Sequence, residues 1–146
     1  MRSREFWDLS NELMSRTEEA CWRTSVSRAY YAAFHRTRDF LATLGFRTRQ
    51  SDQAHAGLYR RLSCSKRDDL DEAARSLMEL RGLRNVADYE IVPTFAKSAV
   101  VQAADRVRAI FERLDLSRDT DELNSITETI RAYERDVLRE VTWQKS

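Results

Sequence analysis

The sequence predicts an all-α fold: an up-and-down bundle of four to five helices with an additional C-terminal amphipathic helix. Three observations carry this. Apolar residues recur at steps of three and four in six successive segments, and no stretch keeps the alternation of a strand. The 146 residues include three Gly and one Pro, while charged residues make up 34 %, and a chain rich in Ala, Leu, Arg and Glu suits helices. The connections between segments are short, which favours antiparallel neighbours. Residues 1–146 read as a single domain with a core over about 18–114, a length sufficient to bury a hydrophobic interior.

The first helix is expected over about 4–17, with Phe6, Leu9, Leu13 and Met14 on its apolar face. The second is long, about 18–44, with a broad face of Trp22, Val26, Ala29, Tyr30, Ala33, Phe34, Phe40, Leu41 and Leu44. Gly45 suits the left-handed position after a helix end. A polar connection over 46–50 leads to a short helix over about 51–62. The fourth helix begins near Asp68, with Asp68, Asp69, Asp71 and Glu72 in its first turn as the macrodipole prefers. It is expected to end by Val92, since Pro93 disfavours helix at the residue before it. Pro93 then fits the first turn of a fifth helix reaching about Leu114, with Phe95, Ala99, Val100, Ala103, Val107, Ile110 and Phe111 inward. The last helix, about 120–141, carries the narrow stripe Leu123, Ile126, Ile130, Tyr133, Val137 and Val141. That stripe packs on its own bundle or serves a second subunit, and the first arrangement is favoured.

The formal net charge of +1 gives no global field that would attract a polyanion, so nucleic-acid binding has to come from a local patch. Arg outnumbers Lys by 22 to 3, as codon usage alone would produce, although Arg is also the better bidentate phosphate ligand. Cys21 and Cys64 form neither a metal-ligand spacing nor a disulfide framework, and read as small buried thiols in a reducing compartment. No apolar run resembles a secretory signal or a bilayer span, so the chain reads as cytoplasmic. His35 and His55 lie at no metal-ligand spacing, and no metal or cofactor is expected. His55 reads as a packing or capping residue. Trp7, Trp22 and Trp143 read as core or edge packing. Phosphate-cradling glycine loops and nucleophile elbows are absent from the sequence.

Two constellations remain. Leu70, Ala73, Leu77, Leu80, Arg84, Ala87 and Ile91 follow the three-four rhythm of a buried helical seam, and a permanently charged guanidinium occupies one position. An unpaired charge there is costly. Arg84 is therefore either held in a structural salt bridge or reaches a ligand; Arg81 and Asp88 lie close enough in helical register to share its face. On the second helix, Arg28, Tyr31, His35 and Arg38 recur along one stripe. It is either an ordinary solvated face or a surface for phosphate and base contacts, and it would adjoin Arg84 if the second and fourth helices are neighbours.

Ser27-Arg28-Ala29-Tyr30-Tyr31-Ala32-Ala33-Phe34-His35, the short helix containing His55, and Arg84-Asn85-x-Ala87-Asp88-Tyr89 together resemble the HEPN domains of prokaryotes, closest to the small stand-alone group with an Ala-Asp-Tyr ending. The resemblance spans about residues 18–114. It implies a helical bundle that forms homodimers, and metal-independent RNA cleavage at a composite site built from an Arg-polar-x(4–6)-His motif of each subunit. It also implies a toxin or defence setting with a minimal nucleotidyltransferase antitoxin as partner, in some pairs adding AMP to a tyrosine near the motif; Tyr89 is the candidate. The chain matches the Arg84-Asn85 half of the motif; Asp88, Tyr89 and Glu90 follow, with no histidine after them at the motif's spacing. Tyrosine titrates near 10 and aspartate near 4, so the motif itself lacks a group that exchanges protons near neutrality.

The expected function is thus a HEPN-type RNA- or nucleotide-binding protein, with ribonuclease activity as its enzymatic form. Arg84, Asn85, Asp88 and Tyr89 are the expected reaction-site residues, and Arg28, Tyr31, His35 and Arg81 the expected RNA- or nucleotide-binding residues. The alternative is a non-catalytic adaptor for a nucleotidyltransferase or other protein, in which Arg84 belongs to a structural ion pair.

Overall fold

A computed structural model describes residues 2–48 and 54–145. Its α-helices are α1 (Ser3–Met14), α2 (Glu19–Thr43), α3 (Ala54–Ser63), α4 (Asp68–Tyr89), α5 (Lys97–Leu114) and α6 (Thr120–Tyr133), arranged as a helical bundle. The predicted start of the short helix at 51–53 lies outside the described residues. Among those residues no helix is long and apolar enough to cross a membrane.

α2 is the central element, packed against α1, α4 and α5. Its broad apolar face supplies Val26, Ala29, Tyr30, Ala33, Phe34, Phe40 and Leu41 to a core completed by α3, α4, α5 and α6. Small hydroxyl residues bring α1 close: Ser10 Oγ donates to the carbonyl of Ser25 and Ser25 Oγ to that of Ser10, each at 2.8 Å. Trp7, Trp22 and Trp143 are partly buried against the same core. Cys21 and Cys64 are half-buried free thiols, not the sealed ones expected: Cys21 lies in the first turn of α2 and Cys64 just past the end of α3. Burial still pushes the Cys64 thiol up to about 11.

The seam of α4 holds through Leu70, Ala73, Leu77, Leu80, Arg84 and Ala87, all buried, but Ile91 is 82 % exposed. α4 stops at Tyr89 and α5 begins at Lys97, so Pro93 lies in the connection and does not open a helix. A distant side chain explains the shift. The guanidinium of Arg23 donates to the carbonyls of Ala87 at 3.0 Å, Glu90 at 2.7 Å, Ile91 at 3.2 Å and Pro93 at 3.3 Å. It thereby satisfies the orphan carbonyls of the helix end and fixes the turn that follows. Glu19, paired with Arg23, accepts the Phe95 backbone N–H at 3.0 Å and completes the clamp.

The C-terminal helix also ends early. Ile126 and Ile130 are buried in the common core, so α6 packs on its own chain, but Val137 and Val141 are 61 % and 69 % exposed. From Glu134 to Leu138 the backbone widens into a π-helical turn, and Arg139 then takes left-handed angles (φ 52°, ψ 37°). The cause is Glu134, a fully buried carboxylate that accepts from Arg61 Nε of α3 at 2.9 Å and from the Thr142 backbone N–H at 3.1 Å. Folding back to serve that carboxylate is incompatible with a straight helix. The returning segment lays Trp143 beside Gly45, where φ is +103° and a Cβ would stand 2.6 Å from Trp143 Nε1. Gly45 is therefore required twice, by its backbone angle and by its neighbour.

Candidate functional site

The face shared by α2, α3 and α4 concentrates cations and aromatic rings. Tyr30, buried on α2, is its floor, and a buried tyrosine needs a partner for its hydroxyl. It finds one in Nδ1 of His55 on α3, and the two rings stack with centroids 5.5 Å apart. The Arg84 guanidinium lies 5.2 Å above the Tyr30 ring, 5.7 Å from that of Tyr31 and 5.9 Å from that of Tyr89. Arg28 sits 5.3 Å over the same Tyr31 ring. Arg84, Arg28 and Tyr31 therefore converge although they come from two helices, as the helical register anticipated.

Arg84 is 8 % exposed, and its compensation is incomplete. Its ion pair with Asp88 spans 3.9 Å, beyond hydrogen-bond length. The nearer claim on Asp88 is Ser27, whose hydroxyl donates to Oδ2 at 3.2 Å. Arg28, Arg81 and Arg84 each bury a guanidine Nε that has no hydrogen-bond partner among the described residues. Three guanidinium groups thus share one aromatic-walled site with the single Asp88 carboxylate drawn into it. An oxyanion accepting from the terminal N–H groups of these arginines would answer the surplus charge.

The same surroundings govern the titratable groups. Burial raises the Tyr30 phenol to about 12, against the opposing pull of Arg81 and Arg84, so it keeps its proton at neutral pH. Burial, reinforced by Arg81 and Arg84, holds the His55 imidazole below its usual value, so it is neutral there.

The other expected residues divide. Arg81 and Asp88 belong to the cluster, and Tyr89 stands at its rim, 72 % exposed. His35 lies at its far edge, one turn along α2: the ring stacks at 5.2 Å on Phe6 of α1, which Arg28 also covers at 5.6 Å, stands 6.4 Å from Tyr31, and lines a cleft with Arg38 and Arg47. Burial, then Arg38, holds its imidazole below the ordinary value. Asn85 is exposed, and no hydrogen bond among the described residues joins it to the cluster; one residue beyond Arg84 on a helix, it points some 100° away. Sequence reasoning missed Tyr30 and His55. The signals were a phenol on an apolar face, which requires a partner, and an isolated histidine near no other ligand. Nothing in their spacing pairs them.

An all-α bundle carrying a cation-rich, aromatic-floored site between three of its helices is the class that fold and geometry define. Compared with protein-family models, curated proteins and solved structures, the chain finds no match.

Proposed function

We propose that this chain is a HEPN-type RNA- or nucleotide-binding protein that engages phosphate at Arg84, Arg81 and Arg28 and acts as a metal-independent ribonuclease in a toxin–antitoxin or defence setting. The observation that supports the reading is the convergence of the Arg84 and Arg28 guanidinium groups on the Tyr30 and Tyr31 rings, with the nearest carboxylate, Asp88, 3.9 Å from Arg84. Guanidinium groups pair with phosphate through charge-assisted, geometrically matched hydrogen bonds, and the exposed ring of Tyr89 offers a stacking surface for an unpaired base. Tyr89, with its phenol open to solvent beside Arg84, is the residue placed for modification by a nucleotidyltransferase partner. The test compares the wild-type chain with Arg84→Ala on total RNA in EDTA, alongside fluorescence anisotropy with a labelled single-stranded RNA. Cleavage and binding that both fall in the variant support the proposal; equal cleavage and equal affinity remove it.

The expected homodimer has an observation of its own. Val86 and Tyr89 at the end of α4 and Ile91 and Val92 just beyond it are exposed, the last two at 82 % and 85 %. Exposed apolar side chains clustered in sequence suit an interaction face, and Tyr89 among them lies 5.9 Å from Arg84. A second copy of the chain seated there would bring two such sites together. Sedimentation of the wild-type chain and of an Ile91→Glu/Val92→Glu variant tests it: a dimer converted to monomer supports this face, whereas a wild-type monomer removes the homodimer.

A further inference from the structure

We infer that the cleft beside the C-terminal half of α2 is a second phosphate subsite, in which Arg38 and Arg47 hold another phosphodiester of the strand engaged by Arg84 and Arg28. The inference rests on the RNA-binding reading above. The cleft has a volume of about 260 Å³, and His35, Arg38, Asp39, Phe46 and Arg47 line it. Among the described residues neither Arg38 nor Arg47 has an ion pair or a side-chain hydrogen bond. Asp39 offsets one of the two charges, and a positive surplus remains for an anion to answer. The wall that carries Arg47 is fixed. Its backbone N–H donates to the Thr142 carbonyl at 3.1 Å and that of Gln144 to the Gly45 carbonyl at 2.9 Å, around the antiparallel bridge of Phe46 with Trp143. Phe46 is buried, so the returning tail anchors this wall to the core. On the opposite wall, the Arg38 guanidinium lies 6.0 Å over the Phe34 ring of α2.

Aromatic rings join this cleft to the Arg84 site. Arg28 covers Tyr31 at 5.3 Å and Phe6 at 5.6 Å, Phe6 stacks on His35 at 5.2 Å, and His35 lines the cleft. All three rings are half-buried. Two groups of guanidinium charge separated by an aromatic floor suit a single strand, whose phosphates meet the arginines while its unpaired bases lie over the rings. Arg28 and Arg38 stand ten positions apart on α2, a rise of about 15 Å, too far for a single phosphate to serve both. The cleft therefore takes a different phosphate from the one at Arg84, and a mononucleotide is too short to occupy the two together.

The experiment is calorimetric titration of the full chain, wild type and Arg38→Gln/Arg47→Gln, with AMP, a 2′-O-methyl dinucleotide and a 2′-O-methyl octanucleotide in EDTA. The wild type is expected to bind the octanucleotide well above the dinucleotide, whose single phosphodiester fills only the Arg84 site. The double variant should lose about 10-fold or more of its octanucleotide affinity, keep its dinucleotide affinity, and show a salt slope shallower by about 0.7, the share of one phosphate of a single strand. Equal octanucleotide affinity in both proteins overturns the subsite and leaves the Arg84 site standing. So does an equal loss for both lengths, which would make the two arginines part of a general positive field. AMP that binds the wild type and not the variant gives the cleft to a free nucleotide and overturns the strand assignment. A wild-type chain that binds no oligonucleotide overturns the subsite and the RNA reading together. Should the double variant fail to fold, Arg47→Gln alone decides, since its backbone bond to Thr142 stays in place: a loss confined to the octanucleotide supports the subsite, and no loss refutes it.

Discussion

Replacing Arg84 with methionine separates a ligand-binding arginine from a structural one. Methionine keeps most of the length and the apolar stem while removing the charge. On the loss side are three cation–π contacts at 5.2, 5.7 and 5.9 Å, each about 0.5–1 kcal/mol. The 3.9 Å pair with Asp88, whose side chain is 30 % exposed, adds about 0–1 kcal/mol. On the gain side, the buried Nε that has no acceptor ceases to be a desolvated donor, worth about 1–3 kcal/mol. The terms nearly cancel, so urea unfolding is expected to register a change of no more than about 2 kcal/mol in either direction. Phosphate contacts behave differently. Losing one charge-assisted hydrogen bond of about 1.5–3 kcal/mol weakens RNA binding by roughly 10- to 150-fold, read as anisotropy of a labelled strand at fixed salt. A stability loss above about 3 kcal/mol with unchanged RNA affinity would refute this reasoning and make Arg84 half of a structural ion pair.

Other outcomes follow from the same geometry. Glu134→Ala strands the Arg61 guanidinium, itself 2 % exposed, and should lower the unfolding free energy by about 3–5 kcal/mol, seen as a large drop in the urea midpoint. Gly45→Ala forces a side chain into left-handed space already filled by Trp143; a loss of about 2 kcal/mol or more is expected, with a change in tryptophan fluorescence if the tail detaches. Gly82 lies exposed in mid-α4 with nothing within 4 Å of an added Cβ, so Gly82→Ala should raise stability by about 0.5–1 kcal/mol in thermal melts. His35 and His55 both titrate below the ordinary 6.5, through burial first and neighbouring arginines second. The unfolded chain therefore takes up protons first as the pH falls, so stability is full above 6.5 and declines below it, toward the folded-state values. Urea midpoints at successive pH values check this. His35→Gln/His55→Gln should flatten the decline, and a midpoint that rises on acidification would contradict it.

The periodicity of apolar residues made the helices legible, and with them the anomalous place of Arg84 in the α4 seam. Their ends were less legible, because each is set by a partner remote in sequence: Arg23, more than sixty residues away, terminates α4, and Arg61, 73 residues away, draws Glu134 out of a regular α6. Local propensity holds no record of such contacts. The site divides in the same way. Arg28, Tyr31, Arg81 and Asp88 share helical registers that can be counted, and α2 packing on α4 joins them. His55 arrives on a separate helix through the connection after α2, so no spacing announces its meeting with Tyr30. His35 reaches the edge of the cluster through Phe6 of α1, a ring it shares with Arg28 and one that counting along α2 does not reveal.

The sealed Arg61–Glu134 pair has a practical side. It staples the returning tail to α3, the helix that also bears His55, so whatever pulls on residues after Thr142 pulls on the frame beneath that imidazole. A purification handle fused at the back end would hang a short tether from this knot, whereas one placed ahead of α1 leaves it undisturbed. Trimming the last few residues through Trp143 would remove its bonds to the Glu134 carboxylate and to the Leu44 carbonyl.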